Sequence, residues 1–214
     1  VLNVGAGAGS YEPEDIEVTA LEPSAMMRSQ RPGHLALAIE GVAEDLPFAD
    51  DSFDAAMAMI TIHQWSNAKK GLQELRRVSK GPVVILTFDG DALHEFWLAD
   101  YAPELIEAER RRYPLIGNVG QILGGNCTVD TVPIPIDCVD GFTEAFYARP
   151  EAFLNDDVRH SQSAWGFISK EEEFQTVAKL DASLVSGEWD KTYGHLRTQP
   201  IYLGSLRLIV ASPK

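Results

Sequence analysis

The stretch Val1-Leu2-Asn3-Val4-Gly5-Ala6-Gly7-Ala8-Gly9 constrains this chain more than any other. A short aliphatic, β-branched run that stops at three alternating glycines reads as a buried strand ending in a loop, where the backbone must pass close to a ligand. A Cβ at those points would hold the main chain away, so Gly7 is expected to have no room for a side chain. By itself G-x-G-x-G is equally an ordinary glycine-rich turn. A second short strand, Ile16 to Leu21, then ends in Glu22-Pro23-Ser24. Glu22 stands seventeen positions beyond Gly5, where a doubly wound fold places the carboxylate that holds ribose hydroxyls. The alternative for Glu22 is a helix N-terminal acid favoured by the macrodipole. A dinucleotide site of G-x-G-x-x-G form would put its third glycine at position 10, which is Ser10.

Strand and helix signals alternate from there. His34 to Ile39 is expected as a third strand, Phe53 to Ile60 as a fourth with both faces apolar, and Pro82 to Phe88 as a fifth. Ser24 suits an N-cap for a short helix that closes between Arg28 and Gly33. Asn67 to Ser79 carries Leu72, Leu75 and Val78 at helical spacing and ends at Gly81-Pro82. This order is that of a doubly wound α/β sheet. Beyond Asp89-Gly90 the pattern loosens: Ala92 to Tyr113 reads as helical with a break at Pro103, Thr128 to Pro135 as an edge strand, and Leu203 to Ala211 as the final strand. Phe142 to Leu154 and Lys170 to Leu184 carry helical apolar spacing.

Four blocks now stand in register: the glycine stretch, Val18 to Ser24, Gly41-Val42-Ala43-Glu44-Asp45-Leu46-Pro47-Phe48 running on to Asp54, and Ile60-Thr61-Ile62-His63-Gln64-Trp65 followed by Leu72 to Val78. Over its first ninety residues or so, the chain resembles the Rossmann-like class I S-adenosylmethionine-dependent methyltransferases of type 11. The resemblance implies a mostly parallel seven-stranded sheet with an antiparallel strand near the C-terminus, and S-adenosylmethionine as the cofactor. It puts Asn3, Gly5, Ala6, Gly7, Gly9, Glu22, Pro23, Ala43, Glu44 and Met59 at that cofactor. Two positions depart from the family, which usually has an acid where Asn3 stands and often Asp where Val42 stands. Only Ser10 to Asp15 fill the place of a full helix. The family pairs its last two strands closely, whereas here some sixty residues separate them. The expected division is a core at 1–138, a helical cap at 139–200 over the carboxyl edge of the sheet, and a returning strand at 201–214. Val1 opens in mid-strand, so the natural protein is expected to begin upstream.

Composition narrows the partners. The 214 residues carry a net charge of −14, which repels nucleic acid and anionic membrane surfaces, and no run of eighteen apolar residues occurs. Arg110-Arg111-Arg112 is the sole basic cluster and reads as a solvated helix face. Two cysteines, Cys127 and Cys138, without a signal peptide suit reduced thiols in the cytoplasm. Methyl transfer rests on positioning and desolvation, and needs a base only where the acceptor loses a proton. His63 is the expected catalytic residue if one is needed; the alternative is a packing histidine. His195 and Tyr193 come second. Phe142, Phe146, Tyr147, Trp165 and Trp189 are expected either to wall an apolar acceptor pocket or to fill the core of the cap. No metal is expected, since neither Asp156, Asp157 and His160 nor Asp89, Asp91, His94 and Glu95 has a recognised ligand geometry. The expected partner is a small-molecule acceptor. The rivals are an NAD(P)-dependent oxidoreductase, disfavoured by Ser10 and by the Glu44-to-Phe48 block, and a non-catalytic cofactor binder.

Overall fold

A computed structural model of the protein describes residues 1–213. The chain divides into two compact units. The first holds residues 1–88, 113–130 and the stretch from Arg207, and is built on a six-stranded sheet in the order β2-β1-β3-β4-β8-β5. Its strands are β1 (Leu2–Val4), β2 (Thr19–Leu21), β3 (Ala56–Met59), β4 (Val83–Phe88), β5 (Asn126–Thr131) and β8 (Leu206–Ser212). Both neighbours of β1 run parallel to it, and β4 runs parallel to β3. Leu2, Val4, Leu21, Ala56, Ala58, Val83 and Ile85 are buried along these strands, as a sheet covered on both faces requires.

Three helices belong to this unit. Ser24 caps α1 (Ala25–Ser29), its hydroxyl accepting from the Met27 N–H. Asn67 does the same for α2 (Ala68–Val78), accepting from the Lys70 N–H at 3.0 Å. Leu72, Leu75 and Val78 bury one face of α2 in a core shared with Val119 and Leu123 of α4 (Ile116–Leu123). The sequence reading left α4 out: with Gly117 and Gly120 inside it, its pattern resembles a loop, and burial of Val119 and Leu123 overrides that weak propensity.

Six strands stand where seven were expected. His34 to Ile39 contributes only a single bridge, Ile39 to Leu21. The Ile39 N–H reaches the Ala20 carbonyl at 2.8 Å and the Ile39 carbonyl accepts from the Glu22 N–H at 2.9 Å, and the ladder goes no further; the Ala36 carbonyl accepts from the Arg31 guanidinium.

The second unit comprises residues 89–112 and 131–206. Set beside the expected core at 1–138 and cap at 139–200, residues 89–112 and 131–138 group here with the second unit. Trp97 is the reason: it is 3% exposed, meets Phe153 and Trp189 edge to face at centroid distances of 5.7 and 5.4 Å, and donates from Nε1 to the Tyr147 carbonyl. Short 3-10 turns at 90–95 and 97–100 lead into α3 (Pro103–Arg112), so Pro103 opens a helix and does not interrupt one. The two-residue strands β6 (Ile134–Pro135) and β7 (Ile201–Tyr202) pair antiparallel. Between them lie α5 (Asp156–His160), α6 (Lys170–Ser186) and α7 (Glu188–Tyr193). A capping box of Ser169 and Glu172 starts α6, and Gly187, with φ 74°, ends it. Phe142 to Leu154 forms 3-10 turns in place of the expected α-helix.

Leu75 is fully buried in the core of the first unit. Leu75→Ala is expected to lower that unit's stability by about 2–5 kcal/mol, read as a drop in the urea unfolding midpoint.

Candidate functional site

The order β2-β1-β3 means that the chain leaves β1 toward one side and returns on the other, which makes the carboxyl ends of β1 and β3 the switch point where open α/β sheets place their ligands. The glycine loop leaves the end of β1, and residues 60–64 leave the end of β3. Gly5, Gly7 and Gly9 all have positive φ, at 72°, 53° and 96°. The Gly5 and Ala6 N–H groups both donate to the Leu21 carbonyl, at 2.9 and 3.1 Å, which folds the loop toward β2.

Glu22, 7% exposed, anchors that fold. One carboxylate oxygen accepts from the Gly7 N–H at 2.9 Å and the other from the Ser24 N–H at 2.8 Å. Each oxygen keeps a further lone pair for a hydroxyl donor. Pro23 is exposed beside it, its carbonyl held by Arg28. Asn3 is 2% exposed: its Nδ2 donates to Glu12 at 3.1 Å, while its Oδ1 is buried without a donor among the described residues.

Two glycines do different work. A Cβ on Gly5 would collide with the Thr61 side chain, so this glycine lets the loop pack on the β3 end. A Cβ on Gly7 would meet only Met27 Cε, at 3.4 Å. The expectation that Gly7 lacks room is thus corrected: a Cβ there would make only ordinary contact with the flexible end of Met27, and it is the left-handed φ that favours glycine. An open cradle, a buried carboxylate with spare lone pairs and an unpaired buried amide oxygen fit a ligand bearing hydroxyl and amino donors.

Ile60, directly after β3, has φ 51°, a conformation that a β-branched residue adopts only under strain. Its N–H is held by the Leu86 carbonyl at 2.7 Å. His63 follows in a single 3-10 turn, its ring 4.8 Å from Tyr113, which in turn meets Phe88 edge to face at 5.6 Å. Met59 is half-buried at the last position of β3.

Ala43 is buried in the core cluster. Glu44 accepts from the Ser66 hydroxyl and the Asn67 N–H, at 2.9 and 2.8 Å, at the start of α2. Burial pushes its carboxyl up, but those hydrogen bonds outweigh burial and hold it below the usual range. In the second unit, Trp189 and Tyr147 are fully buried and Trp165 is 4% exposed, so these three fill that unit's own core and do not line a pocket. Phe142 and Phe146 are half-buried. The Tyr193 hydroxyl donates to Asp100, and burial together with that carboxylate raises its pKa, so it is a donor and not a base. His195 is exposed. Asp156 pairs with Arg159, and Asp89 caps its own turn through the Asp91 N–H. Among the described residues no group of three or more His, Cys, Asp or Glu is placed to hold a metal. Glu12 and Arg31 belong to the region but carried no periodic or motif signal, while Thr61 lies inside the block at 60–65 and Tyr113 at the end of the stretch read as helical.

Residues 2–87 match the methyltransferase domain family. The uncharacterized methyltransferase YcgJ of Bacillus subtilis is 34% identical over 116 residues, covering 49% of this chain and 42% of that protein. A malonyl-[acyl-carrier protein] O-methyltransferase of Erwinia billingiae is 34% identical over 133 residues, 58% of this chain and 53% of that one. The chain thus spans about half the length of the curated relatives it matches. A solved structure from Anabaena variabilis, a proposed methyltransferase from an antibiotic biosynthesis pathway, superposes with a TM-score of 0.89 at 29% identity, over 98% of this chain and 89% of that one.

The loop geometry separates the two glycines. Gly7→Ala is expected to cost about 1–2 kcal/mol, the penalty of a Cβ at left-handed φ. Gly5→Ala is expected to cost more, because the Thr61 collision adds to it; thermal melts of the two variants check the order.

Proposed function

We propose that this chain, whose residues 2–87 match the methyltransferase domain family, transfers a methyl group from S-adenosylmethionine to a small-molecule acceptor. One observation carries the reading. The glycine loop faces a buried carboxylate, Glu22, yet residues 10–18 contain no helix. A dinucleotide's pyrophosphate is ordinarily held at a helix N-terminus beneath such a loop, and this loop has none. The cradle therefore suits a ligand with ribose hydroxyls and no phosphate, which favours the methyl donor over NAD(P).

When bound, the cofactor supplies a methyl group activated on a positively charged sulfur. The chain's own work is binding and exclusion of water. Glu22 would accept from ribose hydroxyls through its spare lone pairs, the open side of Gly7 would admit the ligand against the backbone, and Asn3 Oδ1 would accept from an amino donor. Adenine would be met by main-chain groups near Ala43, because Glu44 is committed to α2. His63, beside Tyr113, stands at the carboxyl end of β3, where an acceptor proton could be taken up if the chemistry requires it. No helix among the described residues is long and apolar enough to cross a membrane. Cys127 and Cys138 are both unpaired, which suits a reducing compartment such as the cytoplasm.

Titration calorimetry with S-adenosylhomocysteine and with NADH tests the assignment. The expected result is one-site binding of the first and none of the second; the reverse would overturn the proposal. Glu22→Ala is expected to weaken S-adenosylhomocysteine by about 1.5–3 kcal/mol, the value of hydrogen bonds to a charged group. Gly7→Val is expected to abolish binding while the circular dichroism of the sheet is retained, and unaltered affinity there would make the glycines a turn and nothing more.

A further inference from the structure

We infer that Glu12 and Arg31 form a buried latch that fixes the shape of the glycine loop, which makes both positioning residues for the ligand held there. Their side chains are each 2% exposed and pair at 2.8 Å. Arg31 Nη2 reaches both Glu12 oxygens, at 2.9 and 2.8 Å, and Nη1 reaches the Gly7 carbonyl at 3.3 Å. Nε and Nη2 also donate to the Ala36 carbonyl, at 3.1 and 3.0 Å. On the other side, Glu12 Oε1 accepts from Asn3 Nδ2. The end of β1, the middle of the loop, its tail and the segment beside β2 thus meet at one ion pair.

Taking two charges out of water is costly, and such a pair persists only where the geometry is good and the remaining donors are satisfied. Here every nitrogen of the guanidinium has an acceptor. The residues after the loop form no helix, so no helical ladder holds its far end. The ion pair does that work. Asn3 is matched to it: a neutral amide can donate to Glu12, whereas a carboxylate at position 3 would stand about 3 Å from a second carboxylate in a buried site.

The inference rests on reading the loop as a cofactor cradle, and two measurements keep the claims apart. The first is hydrogen exchange in the ligand-free protein at the Gly5, Ala6, Gly7, Gly9 and Glu12 amides, all of which donate within the loop region. The second is calorimetric affinity for S-adenosylhomocysteine. Glu12→Gln and Arg31→Lys, which keeps the charge but not the fork, are expected to speed loop exchange about tenfold and to weaken binding about tenfold. Exchange in β4 is expected to stay unchanged, which separates a loosened loop from lost global stability. The double variant Glu12→Gln/Arg31→Met, which leaves no uncompensated charge, is expected to fold and to show the same fast loop exchange. Native loop exchange in all three variants would overturn the latch. Native affinity in all three, with the unmodified protein binding, would overturn its positioning role and leave the cofactor reading standing. Failure of the unmodified protein to bind would sink the cofactor reading, and the exchange data would still decide the latch.

Discussion

The first unit depends on where β1 stops. This three-residue strand is paired on both sides, to β2 and β3, so its backbone groups are committed to the sheet up to Val4. The chain must then turn at once, and it does so through a glycine with positive φ packed against Thr61. That single turn sends the Gly5 and Ala6 N–H groups to Leu21 and brings the Gly7 N–H to Glu22. A carboxylate that would be expensive to bury alone is satisfied by two backbone donors before any ligand arrives. Preorganisation of this kind lets a small site bind without first ordering its own loop.

Much of this was legible in the residues. The alternation of glycine with alanine marks a loop that needs left-handed backbone, and the three φ values follow from it. The N-cap at Ser24 was readable because a hydroxyl side chain there satisfies a free N–H group, whereas Asn67, read as helical, turns out to cap α2. Leu72, Leu75 and Val78 announced the buried face of α2 by spacing alone. Glu22 stands out by its distance from Gly5, and in the structure it anchors the loop through the Gly7 N–H.

What was hidden depends on contacts between residues far apart in the chain. Arg31 lies nineteen residues from Glu12, and nothing in periodicity marks either as the partner of the other. The apolar run at 34–39 reads as a strand, yet only Ile39 pairs with β2, because an apolar run does not say how many of its residues will find a sheet partner. Glu44 holds the start of α2 through the Asn67 N–H, twenty-three residues on, a role that nothing near it in sequence announces. Trp97 ties 89–112 to the second unit through Phe153 and Trp189, which lie more than fifty residues downstream. Each case is a tertiary contact overriding a local pattern.

The sheet order also bears on how the chain is made. Strand β8 lies between β4 and β5, although more than seventy residues separate it from β5 in sequence. As the polypeptide leaves the ribosome, β4 and β5 are complete long before the strand that joins them. Until residues 206–212 emerge, the growing sheet has an unfilled slot with bare backbone N–H and C=O groups on both of its walls. Such edges template pairing with other chains. The interval between synthesis of β5 and synthesis of β8 is therefore when the edges of this sheet are most open to pairing with other chains.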